Sequence, residues 1–319
     1  MIAVHLDNGR VTVRKAPKPR RPQGHALIRL LCGGICNTDL ELKRGYQGFS
    51  GVPGHEFVGE VVEADTKRLV GHRVVGEINL NCGKCSWCQR GMGRHCPSRK
   101  VLGIAKQAGA FREFFTLPER NLRRVPDLVP TEAAVFAEPL AAACEILEQA
   151  RIPELDEIAV LGDGKLGLLI GQVLTVHGYE VHLFGKDPAK LRLAVKLGLM
   201  AEMAPRKLPR AAYNWVVEAT GAPDGLRHAL EMVRPRGTVI LKSTLHRPVQ
   251  FDSAFCVVNE ITLLGSRCGR IEPALELLRT EKVDVLDMIS DRFPLSRAPR
   301  AFERAAEKGI LKVLLTSEC

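Results

Sequence analysis

From residue 157 onward the chain alternates strand-like and helix-like runs: EIAVLG, LGLLIGQVLTVHG, EVHLFG, AKLRLAVKLG, NWVVEAT, DGLRHALEMV, GTVILKS and ITLLGS. Parallel strands need long crossovers, so this alternation specifies an α/β fold, a parallel sheet covered by helices. Residues 1 to about 130 have another texture. Short β-branched runs such as HALIRLLCGGI, HEFVGEVVEA, HRVVGEI and FREFFTLP are broken by Gly and Pro, which marks largely β structure. The two textures meet at TEAAVFAEPLAAACEILEQA, which reads as one long helix beginning at Thr131. After Cys268 come two helical runs, PALELLRT and APRAFERAAEKG, and a closing strand, KVLLTS. A chain of 319 residues has room for one large or two ordinary domains.

Inside the alternating region, Gly162, Gly164 and Gly167 form GxGxxG between a strand and a helix that starts near Lys165 and Leu166. In that setting the first glycine makes a tight turn, the second admits a pyrophosphate to the backbone, and the third allows close helix-strand packing. A dinucleotide site follows. NAD enzymes place an acidic side chain at the end of the second strand, where this chain has Gly185 and Lys186. Asp187 is the competing carboxylate, but it precedes Pro188 and a helical run and reads as an N-cap. Gly185 leaves room for a 2′-phosphate that Lys186 and Lys190 would neutralise, so NADP is favoured over NAD. Glu218, Ala219, Thr220 and Gly221 end a later strand, and Lys242 to Thr244 another, both at the carboxyl edge where the cofactor sits.

The run NCGKCSWCQRGMGRHC carries Cys82, Cys85, Cys88 and Cys96. Four thiolates at this spacing suit a closed tetrahedral Zn²⁺ site that shapes a loop and performs no chemistry. An iron-sulfur cluster is the alternative, although bacterial ferredoxins separate the third and fourth cysteines by only three residues. A disulfide is the other alternative, but ten cysteines and no apolar leader point to a reducing compartment.

Upstream, CGGICNTDLEL and GVPGHEFVGE bring together Cys36, Thr38, Asp39, His55 and Glu56. Sulfur, imidazole and carboxylate describe a second zinc site. With three protein ligands and an open fourth place it would be catalytic. Glu138, in AEPL, is a further oxygen donor.

The order GICxTD, GHE, four cysteines, EPLA and GxGxxG resembles the zinc-dependent medium-chain dehydrogenases, most closely the polyol, threonine and glucose dehydrogenase branch, over essentially the whole chain. The resemblance implies a GroES-like catalytic domain over residues 1–150, with a structural zinc loop at 81–97. It implies a Rossmann domain over 151–267, a return to the catalytic domain over 268–319, and an active site in the cleft between the domains. It makes Cys36 and His55 metal ligands, Glu56 a ligand or near ligand, and Glu138 a direct or water-bridged one. Thr38 would pass the alcohol proton outward, and Asp39 would orient the metal-bound imidazole. Many relatives continue that relay with a histidine where this chain has Glu41, which is either a substitute or a solvated charge. Tyr46 and Phe49 are candidates to line the pocket, and Arg267 to reach the cofactor.

The implied activity is hydride transfer between an alcohol (a polyol, sugar or amino alcohol) and a nicotinamide cofactor, with two zinc ions per chain. The alternative is a catalytically idle NADP-binding redox sensor or scaffold. A zinc-free quinone reductase of the same fold is disfavoured by the cysteine loop and the Cys-His pair. The net charge of +10 is spread along the chain rather than gathered into a stripe, which argues against a nucleic-acid partner. No run is long and apolar enough to span a bilayer, so a cytoplasmic protein off the membrane is expected. Relatives pair the last strand of the parallel sheet across a two-fold axis, which implies a homodimer or homotetramer.

Overall fold

The computed structural model describes residues 1–245 and 248–317. The chain forms two units: Met1–Glu138 with Ile271–Thr280 and the described residues from Met288 onward, and Pro139–Arg270 with Glu281–Asp287.

The first unit opens with a hairpin, Ile2–Asp7 against Arg10–Lys15, turned by Asn8 and Gly9, both at positive φ as a tight hairpin turn requires. Its main sheet runs Leu122–Arg124, Arg73–Gly76, Glu56–Glu63, His25–Gly34, Lys312–Thr316 and Ile289–Pro294, with Phe114–Pro118 also on His25–Gly34. The strand His25–Gly34 is apolar and buried along most of its length, so it can serve as the hub on which three other strands pair. Phe57 and Phe115 meet edge to face at 4.9 Å within its core. At the end of the hub the register sets Gly34 opposite Glu56 on one side and Leu314 on the other.

The second unit is a six-stranded parallel sheet in the order Met200–Met203, Glu180–Gly185, Glu157–Leu161, Tyr213–Glu218, Val233–Leu241, Thr262–Gly265. In sequence order this is 3-2-1-4-5-6, the doubly wound arrangement with its switch point beside Glu157–Leu161. The strand Met200–Met203 is absent from the sequence reading, because an edge strand with half-exposed side chains leaves little apolar signal.

The single helix expected from Thr131 is two, Thr131–Ala134 and Ala137–Gln149. Pro139 explains the break: it has no N–H to give to the carbonyl of Val135, four residues back, so a continuous helix cannot cross it.

Gly34 tests this packing. A Cβ there would lie 2.6 Å from Glu56 Oε2 and 2.8 Å from Val135 Cγ1. Gly34→Ala should destabilise the first unit by about 1–3 kcal/mol through overpacking, read as a lower unfolding temperature in calorimetry. An unchanged transition would show that the neighbours yield freely.

Candidate active site and metal centres

Cys82 follows the short strand Asn79–Leu80, Cys85 caps the helical turn Ser86–Gln89 that carries Cys88, and Cys96 follows a 3₁₀ turn at Gly93–His95. Their sulfurs lie 3.5 Å (85 to 88), 3.6 Å (82 to 96), 3.8 Å (85 to 96) and 3.9 Å (82 to 88) apart. Four thiolates at 2.3 Å from one tetrahedral zinc would stand about 3.8 Å from each other. A disulfide needs about 2 Å, and a multi-iron cluster would hold the sulfurs wider. The donor set and spacing therefore fit a single tetrahedral ion. Backbone N–H groups of Lys84 and Cys85 pull the Cys82 thiol down to about 6, which favours the thiolate that a metal binds.

The second cluster joins Cys36, His55 and Glu56, whose donor atoms all lie within 4.8 Å of one another. Cys36 is held where the hub strand gives way to the short helix Asn37–Lys43, which it caps. Asp39, fully buried, accepts from the N–H of Cys36 at 2.9 Å and from that of Gly54 at 3.2 Å, so one carboxylate fixes both segments that carry candidate ligands. Gly54 has a φ of 101°, and a Cβ there would run into the Phe111 ring; only glycine brings His55 in along this path.

His55 Nδ1 is buried and lies 3.5 Å from Asp39 Oδ1, a charge contact at the outer limit of hydrogen bonding, with no closer partner for this nitrogen among the described residues. Burial alone would lower the His55 pKa, but the charge of Asp39 and the neighbouring Cys36 outweigh it and hold it well above its ordinary value. The pocket thus favours a positive charge at the imidazole, which a divalent ion would supply. Thr38 Oγ1 stands 3.8 Å from Cys36 Sγ, and both residues are partly exposed, whereas His55 and Glu56 are buried. The cluster opens on the Cys36 and Thr38 side.

Lys312 was not singled out from the sequence. It forms an ion pair with Glu56, each residue 1% exposed, and its ammonium sits 5.3 Å from the centroid of the Phe136 ring. The available signal was a lysine opening the apolar strand KVLLT. Glu138, in the first turn of Ala137–Gln149, is not a member of the Cys36 cluster. Glu41 pairs with Arg44 at 2.5 Å on the partly exposed face of Asn37–Lys43. Phe49 borders a cavity of about 460 Å³ with Val52, Ile104 and Gln107, whereas Tyr46, in the 3₁₀ turn Tyr46–Gly48, does not.

In the second unit Gly162 has a φ of 119°, and a Cβ on it would come 2.5 Å from the Ala219 carbonyl oxygen. A Cβ at Gly167 would strike the Gly162 carbonyl, whereas one at Gly164 meets nothing within 4 Å. Lys165 and Leu166 form the first turn of the helix Lys165–Val176 above this open point. The backbone therefore fits a pyrophosphate. Thr220 donates to Glu218 Oε1 at 2.5 Å, holding the Ala219–Thr220 turn at the sheet edge.

Asp187 is the expected helix cap, accepting from Ala189 N and Lys190 N, and Lys186 is exposed. Gly185 does not leave the open space expected of it: a Cβ would lie 2.6 Å from both Cβ and Oδ2 of Asp163. The side chain from the glycine turn has taken that space. Lys242 is buried and donates to the carbonyls of Ala142 and Arg267 and to Ser266 Oγ, so it braces the sheet edge rather than facing a ligand.

Two family models match: the alcohol dehydrogenase GroES-like domain over residues 22–127 and the zinc-binding dehydrogenase domain over 166–281. An alcohol dehydrogenase from Thermus sp. ATN1 is 31% identical over the full length of both chains, with a TM-score of 0.91. A sorbitol dehydrogenase of Halalkalibacterium halodurans is 28% identical over 99% of this chain and 98% of its own. A zinc-binding dehydrogenase of Sinorhizobium meliloti, solved with NADP, is 28% identical with a TM-score of 0.89, covering 99% of this chain and 98% of its own. The chain belongs to the zinc-dependent alcohol dehydrogenase family, enzymes that exchange hydride between an alcohol and a nicotinamide cofactor. Among the described residues, no helix is long and apolar enough to cross a membrane.

The cysteine loop gives a direct prediction. The purified chain should hold about two zinc ions by elemental analysis, and Cys85→Ser should lose one together with thermal stability. A folded, equally stable protein without metal in this loop would refute the assignment.

Proposed function

We propose that this chain is a zinc-dependent dehydrogenase of small polyhydroxylated alcohols, with its reaction centre at Cys36, His55 and Glu56. The observation that carries the proposal is the convergence of these three donors within 4.8 Å, with Cys36 and neighbouring Thr38 partly exposed. The sorbitol dehydrogenase relative supports a polyol substrate. When bound, zinc would supply Lewis acidity toward an alcohol oxygen, and a nicotinamide cofactor would supply the hydride acceptor.

The chain's own residues do the rest. Asp39 holds the Cys36 and Gly54 backbones and faces the His55 ring. Lys312 balances the charge of Glu56. Thr38, beside Cys36, takes the hydroxyl proton toward solvent. Glu138 stays a candidate for a water-bridged contact. In the second unit Gly162, Gly164 and Gly167 receive the pyrophosphate, with Lys165 and Leu166 at the helix start and Ala219 and Thr220 at the sheet edge. The exposed Lys186, nearby Lys190 and the NADP-bound relative support NADP over NAD.

The test combines a substrate screen with a variant. Sorbitol, other polyols, sugars, threonine and simple alcohols should be assayed with both cofactors, and polyols should give the highest kcat/KM. His55→Ala should lower turnover on the order of 10³-fold, several kcal/mol of lost transition-state stabilisation, while NADPH binding persists. Retained turnover in His55→Ala would refute the reaction centre.

We also propose a homodimer or homotetramer built through the strand Thr262–Gly265. It ends the parallel sheet with one edge unpaired among the described residues, and Val257 and Val258 nearby are largely exposed. Light scattering at micromolar concentration should report a multiple of the 35.1 kDa chain mass, and a strict monomer would contradict this.

A further inference from the structure

Asp163 sits in the first glycine turn, between Gly162 and Gly164, yet its side chain acts at the next strand. The pairing of Glu157–Leu161 with Glu180–Gly185 puts Leu161 beside Phe184, and Gly162 N donates to Phe184 O at 2.9 Å. From there the Asp163 carboxylate crosses to the end of the neighbouring strand. Its Oδ2 accepts from Lys186 N and from Asp187 N, each at 2.7 Å, and lies against the bare Cα of Gly185. Both bonds fall on Oδ2, which leaves Oδ1 to a ligand.

This is the place where a dinucleotide enzyme of this fold reads the adenosine ribose. Four backbone N–H groups line the turn into the helix Pro188–Lys196. Those of Lys186 and Asp187 are taken by Asp163, and those of Ala189 and Lys190 by Asp187. A 2′-phosphate arriving here finds no free backbone donor among them and meets two carboxylates. Among these four residues only the side chains of Lys186 and Lys190 offer it positive charge.

We infer that Asp163 is the cofactor-selecting carboxylate of this chain, supplied from the glycine turn in place of the acidic side chain missing at position 185. It accepts from an unphosphorylated ribose and opposes the 2′-phosphate, so it limits the advantage that Lys186 and Lys190 give to NADP. The inference rests on the reading of this unit as the nicotinamide dinucleotide site. It also changes what a carboxylate at position 185 would do, because Gly185→Asp would collide with Asp163 before it met a ribose.

The experiment is fluorescence titration of the full-length, zinc-loaded protein and of Asp163→Asn with NADPH and with NADH. Competition by adenosine 2′,5′-bisphosphate and by 5′-AMP provides a parallel binding readout. Asparagine keeps an oxygen for the two N–H groups and removes the charge. The ratio of NADPH to NADH affinity should rise about tenfold, the scale of one charge contact near a protein surface. A ratio unchanged while both ligands weaken equally would mean that Asp163 only shapes the turn, and would overturn the inference, as would a shift toward NADH. Asp163→Ser gives the same reading should the amide disturb folding. A parent protein that prefers NADH contradicts the NADP preference proposed above but not this inference, which is read from the change in ratio between parent and variant.

Discussion

The ion pair between Glu56 and Lys312 is the interaction on which the reactive half of the molecule depends. Either charge alone, excluded from water as both are, would cost several kcal/mol, and the pair is tolerable only because each answers the other. The pair also joins residues 256 positions apart, so the strand Lys312–Thr316 must lie against the hub strand for Glu56 to be balanced. Gly34 is small for the same reason: it lies across from Glu56 and against the lysine stem. Charge, strand order and a missing side chain form one constraint.

Asp39 applies a similar economy to the ligands. A helix start and a glycine loop from separate parts of the sequence are tied to one carboxylate, and the histidine that follows the loop faces the same group. Backbone hydrogen bonds to Asp39 thus hold the segments that carry these donors, and such support would let a site keep an open coordination place.

Motifs whose chemistry is local could be read from the sequence directly. The cysteine loop, the glycine turn, the Asp187 cap and the Cys36, His55 and Glu56 set each announce themselves through spacing, and the alternating runs disclosed five of the six parallel strands. What escaped was non-local or weakly patterned. Lys312 looks like an ordinary strand-end lysine until the last strand is paired. Met200–Met203 lies at a half-exposed edge and lacks a clear period. The helix break at Pro139 was hidden by strong apolar periodicity on both sides. Asp163 was passed over as a variable position in GxGxxG, because only the sheet register shows that its side chain reaches Gly185.

The closing strand has a consequence for how the protein is made. A ribosome delivers Cys36, His55 and Glu56 early, whereas Lys312 follows Glu56 by 256 residues. Until Lys312 is made, the Glu56 carboxylate lacks the cation that answers it in the finished structure. A cation and the later Lys312 ammonium would then answer the same negative charge, so the order in which they arrive bears on how the pocket is assembled.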